Sequence, residues 1–134
     1  MATKKNISLA RDWVFENCRC FGLKGRKLIA VKIITSEIAT NVVKHAYSNG
    51  QQKQFSVNIK ISSKKLVLTV VDNGSGFHSS KKSGFHYGLL IVRFLADRVR
   101  ISTFGFHTKV KAVLFLNRNE VCKPVAPKLR LISN

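Results

Sequence analysis

The sequence predicts an α+β protein, a two-layer α/β sandwich with helices on one face of a mixed, mostly antiparallel sheet. Three observations carry this expectation. Residues 27–47 place Leu28, Val31, Ile34, Ile38, Val42 and Ala46 at three- and four-residue steps, the period of a helix with one buried face. Residues 55–61 alternate Phe55, Val57, Ile59 and Ile61 with polar neighbours, the period of a half-buried strand, and a more fully apolar strand follows at 66–71. Strands come in consecutive pairs without strand–helix–strand alternation, so helices gathered over an antiparallel sheet are expected in place of a parallel one.

Taken in order, the first helix is expected over residues 7–20, where Ile7, Ala10, Val14 and Phe15 recur at helical spacing and Gly22 closes the run. The chain reopens after Gly25 into the long helix of residues 27–47, which Ser48, Asn49 and Gly50 stop. A turn at 62–64 joins the strands 55–61 and 66–71 into an antiparallel hairpin. Asp72, Gly74 and Gly76 end the second strand, and a polar Ser/Lys/Gly-rich segment runs on to Gly84. Residues 88–97 read as a helix with a strongly apolar face, and 99–104 and 109–116 as a second hairpin around residues 105–108. One domain is therefore expected over residues 1–116, with 117–134, which holds both prolines, as a C-terminal tail.

Composition narrows the classes. A chain of 134 residues suits a single domain, and 45% hydrophobic against 22% charged residues is enough to bury a core, which argues against disorder. No apolar run approaches the roughly 20 residues that cross a bilayer. The best candidate, residues 89–96, is interrupted by Arg93, so no membrane association is expected. The N-terminus runs through Arg11, Asp12 and Glu16 where a signal peptide would be apolar. Three cysteines, Cys18, Cys20 and Cys122, fit reduced thiols better than a disulfide framework, so a cytoplasmic location is expected. With 24 Lys and Arg against 6 Asp and Glu, the formal charge is +18, which suits a nucleic-acid binder or a solvated basic surface equally. The basic residues are scattered, in short pairs such as Lys64 with Lys65 and Lys81 with Lys82, and form no concentrated arm.

Three constellations could carry chemistry. On the long helix Glu37, Asn41 and His45 stand at i, i+4 and i+8 with Lys44 beside them, so one stripe offers a base, an oxygen ligand for a hard cation and positive charge. Spacing alone also fits a solvated helix face. Asp72, Gly74 and Gly76 follow a buried strand, where an acid can accept a hydrogen bond and the glycines let a ligand approach the backbone; a plain turn has the same composition. Gly84, Gly88 and Leu89 lead into a helix whose N-terminal amides suit an anion, or need only ordinary capping. Neither a Walker A sequence nor a GxGxxG fingerprint occurs.

Together and in this order the three motifs resemble the GHKL (Bergerat-fold) ATPase superfamily, and within it the small anti-sigma regulatory factor kinases of the RsbW and RsbT type. The resemblance covers roughly residues 7–116. It is most specific at Ser36, Glu37, Asn41, His45 and Ala46, which look like the N box, and at Val71, Asp72, Gly74, Gly76 and Phe77, which look like the G1 box. Gly88 and Leu89 through Asp97 and Val99 are similar to the G2 loop and its helix, and Thr108 with Val110 to the entry of the last family strand.

The resemblance implies an ATP-dependent serine/threonine-protein kinase with ATP and Mg²⁺ as cofactors. Glu37 would act as the catalytic base on a substrate hydroxyl, and Asn41 would ligate Mg²⁺. Lys44 or His45 would approach the phosphates, Asp72 would accept from the adenine amino group, and Gly74 and Gly76 would let base and sugar pack closely. Gly88 and Leu89 would belong to the phosphate loop, and Thr108 would support adenine. Implied partners are a sigma factor and a STAS-domain anti-anti-sigma protein, exchanged by partner switching in transcriptional regulation, with a homodimer among the expected assemblies. His86 and His107 stand where relatives carry glycine, and the segment between Gly76 and Gly88 is short. Two alternatives remain beside this reading: a non-catalytic partner-binding module of the same fold with a degenerate nucleotide site, and a basic nucleic-acid-binding domain.

Overall fold

The computed structural model describes residues 4–46, 54–72, 84–104, 107–117 and 119–120, with the backbone alone at 4, 42–46, 84–89 and 103–104. Its elements in chain order are α1 (Lys4–Phe21), α2 (Gly25–Ala46), β1 (Phe55–Ile61), β2 (Lys65–Asp72), α3 (Gly84–Leu95), β3 (Arg98–Phe104) and β4 (His107–Phe115). Every element expected from the sequence is present. The four strands form one sheet in the order β1-β2-β4-β3, and all three of its described pairings are antiparallel.

The helices form the second layer. α2 packs between α1 and α3, and the helices lie chiefly over different strands: α1 over β1, α2 over β2 and α3 over β3. Strict alternation on β2 and β4 drives this arrangement. Leu66, Leu68 and Val70 of β2 and Val110, Ala112 and Leu114 of β4 are buried beneath the helices. Val14 and Cys18 of α1, Val31, Ile34 and Ile38 of α2, and Val92 of α3 close on them in one continuous cluster. Each fully buried Leu or Ile contributes about 1.5–3 kcal/mol by leaving water, which is why the central strand pair and the central helix dominate the core.

The turn between α1 and α2 follows from two glycines. Gly22 takes φ 112° and Gly25 φ 69°, backbone conformations that other residues adopt only with strain. The Gly22 amide donates to the Arg19 carbonyl at 3.0 Å and the Leu23 amide to the Cys18 carbonyl at 3.0 Å, the double closure of a Schellman motif, with Leu23 buried beside Cys18.

Most boundaries differ from the sequence expectation by one to three residues, α1 starting at Lys4 instead of 7 and α2 at Gly25 instead of 27, and the largest shift is at α3. α3 begins at Gly84 instead of 88 and ends at Leu95 instead of 97. Gly84 reads as the end of a loop in the sequence, yet glycine weakens a helix by only about 1 kcal/mol, less than docking an apolar face returns. At the other end the Asp97 amide donates to the Val113 carbonyl at 2.8 Å, and its carboxylate accepts from the Phe115 amide at 2.6 Å, so Asp97 belongs to the sheet margin. β4 starts at His107, two residues early, because His107 pairs with Phe104 across the hairpin. Beyond β4, in the segment expected as a tail, Glu120 accepts the Lys24 amide at 2.9 Å and ties residues 119–120 to the α1–α2 turn.

Among the described residues no helix is long and apolar enough to cross a membrane. Cys18 is buried and Cys20 half-buried, both as free thiols; Cys122 lies outside the described residues.

Candidate functional site

Antiparallel topology brings the sequence motifs to one end of the sandwich. β1 starts there at Phe55, β2 ends there at Asp72, and β4 enters there at His107 and Thr108, since Asp72 pairs with Phe55 on one side and Thr108 on the other. α2 finishes at Ala46, shortly before β1, so the helical turns bearing Glu37 and Asn41 approach the same end. α3 connects at its C-terminus to β3, whose first residue Arg98 sits at the far end opposite Val113. A helix of 12 residues runs about 18 Å, which returns the N-terminus of α3 toward Asp72.

Within this end the described site residues are unusually enclosed. Asp72 is 3% exposed, Thr108 0% and Asn41 4%, the polar exceptions in a core that is otherwise apolar apart from Thr35. Thr35 is explained locally, its hydroxyl donating to the Val31 carbonyl at 2.8 Å. Asn41 is not: its Nδ2 is buried with no hydrogen-bond partner among the described residues. An unpaired buried amide costs about 1–3 kcal/mol, a cost that a bound polar ligand would remove. Glu37, one turn before Asn41 on the same stripe, is half-buried.

The donor set fits a nucleotide with a hard cation in a particular way. Among the described residues no group of three His, Cys, Asp or Glu side chains gathers to hold a metal. A cation held here would draw on the Asn41 amide oxygen and on the phosphates of its ligand, the manner in which Mg²⁺ is commonly bound. Asp72 and Thr108, side by side in the register, present a carboxylate and a hydroxyl at the strand ends, suited to a ring amine and its neighbouring nitrogen.

Some expected residues stand elsewhere. Gly88 and Leu89 lie inside α3, so the amides free to face an anion belong to the first turn from Gly84 and not to those two residues. Lys44 and His45 are on the last turns of α2, where only the backbone is described. Gly74, Gly76 and Phe77, with Lys81 and Lys82, lie outside the described residues.

Sequence reading also missed a feature away from this end. Lysines and arginines that look scattered along the chain collect on the open face of the sheet. Their signal was the period-two spacing of Arg98 with Arg100 and Lys109 with Lys111, which puts each pair on one side of its strand.

Residues 1–114 match the family model described as the histidine kinase-like ATPase domain, a span that includes every candidate site residue named above. The serine-protein kinase RsbW of Bacillus licheniformis is 31% identical over 107 residues, covering 68% of this chain and 66% of that protein. Among solved structures, the histidine kinase domain of the blue-light activated histidine kinase EL346 from Erythrobacter litoralis superposes with a TM-score of 0.55 at 22% identity, over 67% of this chain and 45% of that one. The longer structure of the same kinase gives a TM-score of 0.54 at 22% identity, over 68% of this chain and 32% of that one. At these identities the two structures speak for the fold.

Proposed function

Because this chain belongs to the histidine kinase-like ATPase family, we propose that it is an ATP-dependent serine/threonine-protein kinase of the anti-sigma type, acting on a STAS-domain antagonist and switching between it and a sigma factor. The observation that carries the nucleotide part is Asn41, whose side-chain Nδ2 is buried with no partner among the described residues, on the helix face that leads to Asp72 and Thr108. The likeness to RsbW supports the kinase part.

In this reading Asp72 accepts the adenine amino group and Thr108 braces the ring through its hydroxyl, while Gly74 and Gly76 leave room for base and sugar. Asn41 would offer its amide oxygen to Mg²⁺, Lys44 or His45 would approach the phosphates, and Gly88 and Leu89 lie on the helix whose first turn would receive them. When bound, Mg²⁺ neutralises phosphate charge. Glu37, half-buried, orients the incoming hydroxyl of the substrate and takes its proton, which leaves the protein chiefly the work of positioning and electrostatics. A partner exchanged at this end, a homodimer and a cytoplasmic setting complete the proposal.

Calorimetric titration with Mg²⁺ and ATP tests it. Wild type binds; Asp72→Asn and Asn41→Ala each weaken binding at least about tenfold, the loss of roughly 1.4 kcal/mol expected when one charged or ligating group goes. Glu37→Gln retains binding and loses about 10²-fold or more in phosphoryl transfer, the share of a general base. Absence of binding by wild type would leave the partner-binding module without catalysis.

A further inference from the structure

The face of the sheet turned away from the helices carries Lys60 on β1, Lys65 on β2, Arg98 and Arg100 on β3, and Lys109 and Lys111 on β4. All are exposed except Lys109, which is half-buried. Register organises them: Arg100 stands opposite Lys111, Lys111 opposite Thr69, and Thr69 opposite Asn58, a polar row across all four strands. Two shallow depressions of about 530 Å³ each share Lys65, Val67 and Lys111, and so form one trough from Asn58 and Lys60 to Arg98 and Arg100. At its end Phe115, 46% exposed, lies under the Arg98 guanidinium at 5.6 Å.

Among the described residues no Asp or Glu lines this trough. The chain has 6 acids, and each is placed elsewhere. Asp12 and Glu16 are on α1, paired with Arg11 and Arg19, Glu37 is on α2, and Asp72 is buried beneath the helices. Asp97 is taken by the Phe115 amide and lies 3.6 Å from Lys27, and Glu120 accepts the Asn117 amide at 3.0 Å. Six cations on one flat face, with none of the chain's acids to offset them, repel a second copy of the same face.

We propose that this open sheet face is a binding surface for single-stranded nucleic acid, separate from the candidate nucleotide site. Charge complementarity calls for a polyanion, and the composition of the face selects among polyanions. Protein–protein interfaces exclude lysine from their centres, whereas nucleic-acid interfaces gather lysine and arginine. Cations two residues apart on one strand repeat at about 6.7 Å, so the sheet offers a regular ladder to a backbone of phosphates. Asn58 and Thr69 between the cations can hydrogen-bond sugar or phosphate, and the Phe115 ring beside Arg98 is a platform on which a base can stack.

Fluorescence anisotropy with a labelled single-stranded DNA of about 20 nucleotides, titrated with the full chain from about 50 to about 300 mM salt, tests the surface. One variant carries Arg98→Gln, Arg100→Gln, Lys109→Gln and Lys111→Gln. A control of equal charge carries Lys5→Gln, Lys24→Gln, Arg26→Gln and Arg93→Gln, all exposed positions on the helices and their turn. The face variant loses about 3 units from the slope of log affinity against log salt and at least about tenfold in affinity, while the control keeps the wild-type slope within about 1 unit. In wild type, the oligonucleotide protects Lys109 and Lys111 from acetylation, a reading independent of whether the variants fold. Equal losses in both variants, or no binding at the lowest salt, overturn the proposal. Stronger binding of polyglutamate than of DNA at equal charge overturns it in favour of an acidic protein partner.

Discussion

Asn41 and Cys18 are both buried on the helices, and their chemistry separates a binding role from a packing role. Among the described residues the Asn41 Nδ2 has no partner in its enclosed setting, a standing cost in the folded protein that makes sense where a ligand's hydrogen-bond acceptor completes the pair. Cys18 carries no such debt: it fills a gap between α1 and its neighbours, and burial pushes its thiol up to about 12 from the ordinary 9.0. The sign of the consequence is fixed. Below pH 9 both folded and unfolded chains hold the proton, so Cys18 adds no pH dependence there; between about 9 and about 12 only the unfolded chain releases it, and stability is lost as pH rises. Urea unfolding of wild type and Cys18→Ala, compared at neutral pH and near pH 10.5, checks this. The difference in stability between the two proteins is expected to narrow in the alkaline sample by about 1–2 kcal/mol.

At the scale of elements, local rules and tertiary docking share the decisions unequally. The α1–α2 turn is almost wholly local: Gly22 and Gly25 hold positive φ, and the Arg19 and Cys18 carbonyls close the helix end. A Cβ at Gly25 meets nothing within 4 Å, so Gly25→Ala isolates backbone strain and is expected to cost about 1–2 kcal/mol in chemical denaturation. An unchanged midpoint would show that the turn relaxes. α3 obeys the opposite balance. Its sequence contains two glycines, yet it is helical from Gly84, because Val92 seats against the core and Leu95 packs at its edge. The same helix exposes Leu90, Ile91 and Phe94, an apolar outer face that its periodicity alone would not have assigned to solvent.

For the molecule as a whole, charge is the dominant feature left after packing. A formal +18 on 134 residues opposes compaction through self-repulsion that salt screens. Thermal unfolding is therefore expected at higher temperature as salt rises from about 50 to about 500 mM, with a gain on the order of 1 kcal/mol. The six-cation face should supply much of this effect, so the fourfold Gln variant of the sheet face flattens the salt dependence, which scanning calorimetry reads directly. A flat response in wild type would overturn self-repulsion as a destabilising force in this protein.

What the sequence determines by itself is the set of elements and the motifs they carry. Periods of 3.6 and 2 are written into residues 27–47 and 55–61 because burial of one face selects them, and glycines at 22 and 25 specify a turn by backbone sterics. The family resemblance was legible in Glu37 and Asn41 along the long helix and in Asp72 at the end of β2. Tertiary structure alone decided how the two hairpins join, since insertion of β4 beside β2 is a long-range pairing that no local pattern encodes. That single pairing sets Thr108 against Asp72 at one end and collects separated lysines and arginines into one face. Burial of Asn41, and so the meaning of its unpaired amide, likewise depends on α2 lying between two other helices over the sheet. Position along the chain names the chemistry available; only packing decides which of it is desolvated, and desolvation is what gives a polar group its energetic consequence.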